Sequence, residues 1–468
     1  MAIQGPLALA PGWPRSKGRL SDAALRSLIA DVRGKAPAAV AAPAAEPRAQ
    51  GARDTAFETL PGYETLRMQR AAADLLGIPS PFFRTHEQRA GAVSRIAGQE
   101  VINFASYDYL GLNGHPAVAA AAKAAIDEFG TSVSASRLVA GERPFHAALE
   151  RRLAEFHGVE DAVVFVSGHA TNVAAIGQIT GPADLILHDA LIHNSVITGA
   201  QLSGAQRRSF PHNDLETLEA ILAAERDRWQ RVLIVVESLY SMDGDTIDLP
   251  RLVALKQRFG AWLMVDEAHG LGVLGPTGRG IAEAAGVDPR QVDIWMGTMS
   301  KTLSSCGGYI AGPAALVEYL KLMASGFVYS VGMPAPATMA ALTALELVMA
   351  DADGRVARLQ ANSRRFLERA GAAGLDTGLA QGHAIVPIIL GDSLQAVLLS
   401  NRLLERGINV SPIVHPAVPE KSARLRCFIT AEHTPDQIDR AVAVIAEERE
   451  ALRHEAPAMA RLGAAARG

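Results

Sequence analysis

The sequence predicts an α/β fold with a mostly parallel sheet, followed by a smaller α+β region at the C-terminus. Six short, largely apolar segments run through the middle of the chain, and segments with helical spacing separate most of them. Apolar strands joined by helices are typical of parallel sheets that are covered on both faces. The candidate strands span residues 162–166, 184–188, 232–237, 262–266, 293–297 and 309–311.

The composition is that of an ordinary globular protein. The chain has 468 residues, of which 49% are apolar and 20% charged, and this length allows two or three domains. A net charge of −4 lacks the basic footprint of a nucleic-acid-binding protein, and no apolar run reaches the roughly 18 residues of a transmembrane segment. Two cysteines, Cys306 and Cys427, cannot form a disulfide framework, so we expect a reducing, cytoplasmic location. The N-terminus is broken by prolines and lacks a long apolar region, so we expect no signal peptide.

The first 60 residues are predicted to be an extension without a core of its own. Residues 21–32 have the spacing of a short amphipathic helix, and residues 35–54, rich in Ala and Pro, indicate a flexible linker. An N-terminal segment is predicted to follow over residues 61–115, with a helix over 63–76 and a strand over 101–104.

The rest of the chain is predicted to divide near residue 334. Residues 116–334 would form a large domain around the sheet, residues 335–455 a smaller C-terminal domain, and residues 456–468 a loose tail. The helices of the smaller domain are predicted over 335–350, 355–371, 393–406 and 434–453, and its strands over 384–390 and 424–430.

Chemically active side chains follow the predicted strands. A small-residue turn that opens a helix leaves free N–H groups, which favour a phosphate. In parallel sheets the carboxyl ends of the strands meet at one edge, where ligands bind, so we expect these residues to lie together. They are Gly168 and His169 after the first strand, His193 after the second, Asp266 and His269 after the fourth, and Thr298, Ser300 and Lys301 after the fifth.

Each of these residues has an ordinary explanation when taken alone. A lysine after a strand is most often solvated, and a lone histidine such as His193 is most often a satisfied surface residue. Asp266 and His269 are also metal ligands by type, although no third ligand follows at a suitable spacing. Together, however, an amine, a carboxylate, an aromatic face and a phosphate site are the parts that pyridoxal phosphate (PLP) needs. We therefore predict a PLP enzyme.

The ordered motifs resemble those of the α-oxoamine synthases, a family of PLP-dependent enzymes of fold type I. The resemblance runs from Asn103 to Asp439 and includes NFASYDYLGL (103–112), SGHATN (167–172), VDEAHGLGVLGPTGRG (265–280) and GTMSKTLSSCGGYIAG (297–312). It implies a decarboxylative condensation of an amino acid with an acyl thioester, which gives an α-amino ketone. It also implies a homodimer with shared active sites.

The resemblance further implies a role for each site residue. Lys301 would bind the cofactor and move the α-proton of the substrate, Asp266 would pair with the pyridine nitrogen, and His193 would stack on the ring. Gly168 and His169 would contact the cofactor through their backbones, and His269 would donate a hydrogen bond near the ring oxygen and the acyl carbonyl. Thr298 and Ser300 would bind the phosphate, and Ser330 would reach the phosphate of the other subunit. Arg426 would bind the substrate carboxylate, and Tyr107 would also contact the substrate.

Two local features resemble serine palmitoyltransferases and favour L-serine and a long-chain acyl thioester, hence sphingolipid synthesis. Tyr107 stands where biotin-pathway enzymes usually have asparagine, and Leu425-Arg426-Cys427 is followed by AEHT (431–434). The alternative is a synthase that uses alanine or glycine, either like 8-amino-7-oxononanoate synthase or in a natural-product pathway. Residues 79–93 resemble synthases that take acyl groups from acyl carrier protein, a candidate partner beside coenzyme A. An aminotransferase of the same fold would also need Lys301 and Asp266.

Overall fold

The computed structural model describes residues 55–465, without the side chains of residues 72 and 456–465. The predicted helix over 21–32 and the linker over 35–54 lie outside the described residues. Two compact units are present: residues 55–76 with 450–465, and residues 77–449. The boundary predicted near residue 334 lies inside the second unit and stays a prediction.

Helices and strands alternate through most of the second unit. The helices are α1 (Pro61–Leu75), α2 (Pro116–Phe129), α3 (Pro144–His157), α4 (Gly168–Ile179), α5 (Asn194–Ser203), α6 (Leu215–Glu225), α7 (Leu249–Phe259), α8 (Ile281–Ala285), α9 (Ala314–Met323), α10 (Ser325–Val328), α11 (Ala335–Ala350), α12 (Arg355–Ala372), α13 (Ser393–Glu405) and α14 (Pro435–Ala465). The strands are β1 (Val93–Ile96), β2 (Gln99–Asn103), β3 (Asp161–Phe165), β4 (Leu185–Asp189), β5 (Gln206–Phe210), β6 (Val232–Glu237), β7 (Trp262–Asp266), β8 (Ile294–Thr298), β9 (Gly308–Gly312), β10 (Ile385–Ile389), β11 (Ile408–Asn409), β12 (Ser411–Ile413) and β13 (Arg424–Phe428).

Seven strands form the central sheet, in the order β3-β9-β8-β7-β6-β4-β5. Neighbours are parallel from β8 to β5, whereas β9 is antiparallel to both β3 and β8. The predicted mostly parallel sheet is therefore confirmed. Because β9 runs the other way, its first residue, Gly308, lies at the same edge as the carboxyl ends of the other strands. The loop from β8 to β9, which carries Lys301, crosses that edge.

The inner strands of the sheet are buried on both faces. All six residues of β6 are buried, as are all five of β4 and β8. One face packs against α4, α5 and α9 through apolar side chains such as Ile176, Val196 and Leu320. The edge strand β5 was not predicted, because four of its five residues are exposed and it has no apolar run.

Two three-stranded sheets lie beside the central sheet. The first, in the order β10-β13-β12, is antiparallel and carries Arg426 in its middle strand. The second joins the hairpin of β1 and β2 to β11, which runs parallel to β2. This sheet brings the N-terminal segment together with a C-terminal strand that is too short to show in the sequence.

Helix α14 extends through residues 456–465, most of the segment that was expected to be a loose tail.

Within the described range, no single helix is long and apolar enough to cross a membrane. Taken together, α11 and α12 have the length and the apolar composition of a membrane span, but the two helices are bent by 80° relative to each other.

Candidate active site

The carboxyl edge of the central sheet holds a cavity of about 230 Å³. Residues at or just after the carboxyl ends of β3, β4, β6, β7 and β8 contribute to its lining, as the strand-end prediction required. Of the predicted site residues, only Ser330 and Arg426 are absent from this lining. The lining residues are Tyr107, Ser167, Gly168, His169, Asn172, His193, Ser195, Glu237, Asp266, Ala268, His269, Met296, Thr298, Ser300 and Lys301.

Asp266, the last residue of β7, is 4% exposed. Its Oδ2 accepts a hydrogen bond from Nδ2 of Asn172 at 3.0 Å, and its Oδ1 accepts one from the backbone N–H of Ala268 at 2.9 Å. A buried carboxylate is stable only when donors or a cation compensate its charge. These two donors fix the carboxylate and leave it able to pair with a cationic nitrogen in the cavity.

Asn172 also connects Asp266 to His193, a second lining residue, through Ser195. The same Nδ2 lies 2.9 Å from Oγ of Ser195, which in turn lies 2.7 Å from Nδ1 of His193. His193 is the N-cap of α5, where Nδ1 accepts from the N–H of Ser195 at 3.3 Å. Burial lowers the pKa of His193, which favours a neutral ring in front of the cavity.

Lys301 lies in the loop between β8 and β9. The N–H of Met299 donates to the carbonyl of Gly307 at 2.9 Å, and the N–H of Ser304 donates to the carbonyl of Lys301 at 2.9 Å. Burial lowers the pKa of Lys301 to about 8, although the negative charge of Asp266 opposes this shift. A larger fraction of its amine is therefore neutral, and so nucleophilic, than in a solvated lysine.

His269 and its neighbours form another part of the lining. Its Nδ1 lies 2.6 Å from Oη of Tyr109, a fully buried residue, and its ring stacks on Phe428 with centroids 6.5 Å apart. Burial and the charges of Lys301 and Arg426 lower the pKa of His269 well below its ordinary value. The ring is therefore neutral and can donate one hydrogen bond and accept another.

Backbone donors and two hydroxyls lie at the start of α4. Ser167 caps this helix by accepting from the N–H of Ala170, and Gly168 is its first residue. A Cβ atom at Gly168 would lie 2.7 Å from Oγ1 of Thr298, so only glycine permits this close approach. Oγ1 of Thr298 lies 3.3 Å from Oγ of Ser300. Free N–H groups beside two hydroxyls suit a phosphate.

Arg426 lies near the cavity with unused hydrogen-bonding capacity. Its Nη1 donates to the carbonyl of Ser241 at 3.2 Å, its Nη2 donates to Oη of Tyr107 at 3.4 Å, and its buried Nε has no hydrogen-bond partner. Within residues 55–465 no carboxylate forms an ion pair with it. Ser330 is half-buried and lies with Arg137 at a separate small cavity, so its role across a dimer stays a prediction.

Several residues of this site were not found from the sequence. Asn172 and Ser195 are buried polar residues on helices, and a polar position on an apolar helix face is the only signal they give. Glu237 ends β6 beside Asp266; burial raises the pKa of Glu237 to about 8, and the charge of Asp266 adds to this shift. The carboxyl group of Glu237 is therefore mostly protonated at neutral pH.

The donor set fits PLP. It supplies an amine of lowered pKa, a carboxylate for the pyridine nitrogen, an imidazole beside the ring position and donors for the phosphate. A metal site is not favoured, because the described part of the chain has no group of three or more His, Cys, Asp or Glu side chains that could hold a metal ion.

Fold and site together define a PLP-dependent transferase of fold type I, and comparisons with known proteins agree. Residues 99–445 match the family model described as aminotransferase class I and II. An 8-amino-7-oxononanoate synthase of Geobacter sulfurreducens is 43% identical over 351 residues, 75% of this chain and 89% of that protein. A serine palmitoyltransferase of Sphingomonas wittichii matches with a TM-score of 0.80 at 34% identity, covering 84% of this chain and 98% of that one.

A further solved structure, a serine palmitoyltransferase with PLP, matches with a TM-score of 0.80 at 32% identity and covers 85% of this chain and 99% of its own. The chain belongs to the α-oxoamine synthase family. It is a PLP-dependent acyltransferase, and its cofactor is PLP.

Proposed function

We propose that this enzyme condenses a small amino acid, alanine in the first place, with an acyl thioester, as 8-amino-7-oxononanoate synthases do. The main support for this proposal is the 43% identity to an 8-amino-7-oxononanoate synthase over 89% of that protein's length. In this reaction a bond forms between the α-carbon and the acyl carbon. The thiol and carbon dioxide leave, and the α-carbon regains a proton.

Arg426 is proposed to hold the carboxylate of the amino acid. Its charge has no carboxylate partner within the described residues, and its Nε lacks a hydrogen bond. A guanidinium can bind a carboxylate through two parallel hydrogen bonds, which fixes its orientation. The hydrogen bond from Nη2 to Tyr107, a residue of the cavity lining, supports this role.

Lys301 is proposed to carry the cofactor and then to move the α-proton. Its lowered pKa leaves part of the amine neutral and able to accept that proton at neutral pH. When bound, PLP supplies an electron sink for the pair left on the α-carbon. Asp266, held by Asn172 and Ala268, would keep a proton on the pyridine nitrogen, and His193 would cover the ring.

His269 is proposed to hold the acyl carbonyl through Nε2. The hydroxyl of Tyr109 keeps its proton, because burial raises the pKa of this phenol well above its ordinary value. If that hydroxyl donates to Nδ1 of His269, the proton of the neutral imidazole resides on Nε2. An Nε2–H group at the cavity can stabilise the negative charge that develops on the acyl oxygen.

The narrow space near Lys301 supports a small amino-acid side chain. The ring centroid of Tyr107 lies 5.8 Å from Nζ of Lys301, and this ring packs edge-on against Phe428 at 4.7 Å. We propose that Tyr107 borders the space for the substrate side chain and favours a small one such as that of alanine or glycine.

Serine with a long-chain acyl thioester is the second candidate, because a specific comparison favours it. Serine palmitoyltransferases match with TM-scores up to 0.81, whereas an 8-amino-7-oxononanoate synthase of Francisella tularensis matches with 0.66. The named sequence relatives do not support the expected role in sphingolipid synthesis. We also propose that the enzyme is a cytoplasmic homodimer and that acyl carrier protein can supply the acyl group.

Competition between substrates tests this function. The purified holoenzyme is mixed with alanine, glycine and serine, and with short and long acyl thioesters of coenzyme A and of acyl carrier protein. Products are identified by mass spectrometry, with Lys301→Ala as the inactive control. We expect the α-amino ketone derived from alanine to dominate. A product derived mainly from serine would establish the second candidate instead.

A further inference from the structure

A histidine outside the cofactor cavity joins two loops that lead to site residues. His212 follows β5, and its ring lies between two carboxylates. Its Nδ1 is 3.0 Å from Oδ1 of Asp189, and its Nε2 is 2.9 Å from Oδ2 of Asp245. Because ionised carboxylates only accept hydrogen bonds, both ring nitrogens donate, and the ring is an imidazolium.

The surroundings of His212 stabilise this charged form. The side chains of His212, Asp189 and Asp245 are 14%, 0% and 5% exposed. Burial opposes the charge, but the hydrogen bonds and charges of the two carboxylates raise the pKa of His212 to about 10. Asn213 supports the same pair by donating its backbone N–H to Asp189 and its side-chain amide to Asp245, each at 2.8 Å. The ring therefore bridges the two carboxylates throughout the neutral pH range.

Asp189 connects this bridge to the cofactor side of the site. It is the last residue of β4, and its Oδ1 also accepts from the N–H of Leu191 at 2.8 Å. The N–H of Ile192 donates to its backbone carbonyl at 3.2 Å. The short turn that leads to His193 is thus folded onto Asp189, so a displacement of Asp189 would move the imidazole of His193.

Asp245 connects the bridge to the carboxylate anchor. It belongs to the 240–245 loop, in which the N–H of Tyr240 donates to the carbonyl of Asp245 at 2.9 Å. The same loop supplies the carbonyl of Ser241 to Nη1 of Arg426 at 3.2 Å. It also pairs Asp243 with Arg424 at 2.6 Å, two residues earlier in β13. The 240–245 loop therefore holds the strand that presents Arg426.

We propose that His212 is a positioning residue that sets Arg426 relative to His193, and so tunes the fit of the amino-acid substrate. His212 does not line the cavity and acts only through Asp189 and Asp245. The inference rests on the proposed function, in which Arg426 binds the substrate carboxylate.

The test uses the holoenzyme and the variants His212→Gln and Asp245→Asn. His212→Gln loses the charge and one of the two hydrogen bonds, and we expect KM for the amino acid to rise about tenfold while kcat falls less than about threefold. Asp245→Asn weakens only the contact between His212 and the 240–245 loop, which holds Arg426. We expect it to raise the same KM while the dissociation constant of PLP changes less than about twofold.

His157→Gln is the matched control. His157 is also a buried histidine with a hydrogen bond, from Nε2 to Oη of Tyr309 at 2.8 Å, and it lies outside the cavity lining. We expect this variant to lower the melting temperature without changing KM for the amino acid. If His212→Gln behaves in the same way as this control, His212 has only a structural role and the inference is wrong.

Two outcomes separate this inference from the proposed function. If the wild-type holoenzyme shows no absorbance change with alanine, glycine or serine, the proposed function fails. If the wild type binds an amino acid and both variants bind it equally well, only the positioning role of His212 fails. Should His212→Gln not fold, Asp245→Asn decides alone, and an unchanged KM in that variant overturns the inference.

Discussion

The side-chain nitrogen of Asn172 lies 3.0 Å from the carboxylate of Asp266, inside the cofactor cavity. One amide group thereby joins helix α4 to the end of strand β7. Its second hydrogen is directed to Ser195 at 2.9 Å, and Ser195 contacts His193. The residue proposed to pair with the pyridine nitrogen and the residue proposed to cover the ring are thus held by one asparagine.

Asn172→Ala should weaken cofactor binding. Without the amide, Asp266 keeps only the backbone donor of Ala268 and its orientation becomes less defined. We expect the dissociation constant of PLP to rise about tenfold, since hydrogen bonds to charged groups contribute roughly 1.5–3 kcal/mol. Titration of the apoprotein, followed by the absorbance of bound PLP, measures this. Asn362→Ala is the control, because Asn362 is also buried but donates to the carbonyls of Thr430 and His433. Equal affinities in both variants would contradict the role of Asn172.

Arg426→Lys should impair the use of the amino acid more than that of the acyl thioester. Lysine keeps the charge but cannot form two parallel hydrogen bonds with a carboxylate. We expect KM for the amino acid to rise tenfold or more, on the order of 1.5 kcal/mol or above, with KM for the thioester changed little. Steady-state kinetics with each substrate varied in turn measures both. Arg440→Lys, at an exposed position, is the control. A selective rise in KM for the thioester would assign Arg426 to the wrong substrate.

Loading of the apoprotein with PLP should depend on pH through Lys301. Only the neutral amine reacts with an aldehyde, and burial lowers the pKa of Lys301 to about 8. We expect the loading rate to rise with pH and to be half-maximal near pH 8, as measured by stopped-flow absorbance. An apparent pKa close to the ordinary value of 10.5 would show that Lys301 is solvated.

The same shift has a consequence for stability. Folded Lys301 releases its proton near pH 8, whereas the unfolded chain retains it until about 10.5. Between these values the unfolded state binds more protons, so this group makes the apoprotein more stable as the pH rises. Lys301→Met should remove this contribution in urea unfolding experiments at pH 8 and pH 10.

Glu150→Gln should destabilise the fold without touching the cavity. Glu150 is 3% exposed and pairs with Arg137, with Lys321 at 3.0 Å and with the N–H of Val164 at 3.0 Å. The variant weakens the hydrogen bonds to two cations, although Arg137 keeps Glu142 and Lys321 keeps Asp161, and we expect a loss of about 2 kcal/mol in the free energy of unfolding. Urea denaturation of the apoprotein measures it, with Glu346→Gln at an exposed site as the control. A change below about 0.5 kcal/mol, the usual range of surface substitutions, would contradict this account.

The fold was predictable where burial shaped the sequence. Strands β6 and β7 have the predicted bounds, because strands buried in a parallel sheet are apolar almost throughout. Strand β5 was missed, because an edge strand can expose polar residues and still pair along one side. Strand β11 has two residues and exists only through its pairing with β2, which no local pattern reveals.

Site residues were predictable where they lie at the end of a strand or directly after it. Asp266 and Lys301 follow apolar runs, so their common location at one edge of the sheet could be expected from topology. Tyr109 gives no such signal, because its contact with His269 joins residues that are 160 positions apart. The bridge formed by His212 was missed for the same reason, since its partners are the last residue of β4 and a residue of the 240–245 loop.

The pairing of β2 with β11 links the order of biosynthesis to the completion of the site. Nδ2 of Asn409 donates to Oδ1 of Asn103 at 2.9 Å, across 306 positions of sequence. A ribosome releases β2 long before β11 exists, so this sheet cannot close until most of the chain has been made. The segment after β2 carries Tyr107 and Tyr109. We therefore expect a nascent chain to complete this part of the site, with Tyr107 in the cavity lining and Tyr109 against His269, only after β11 has been made.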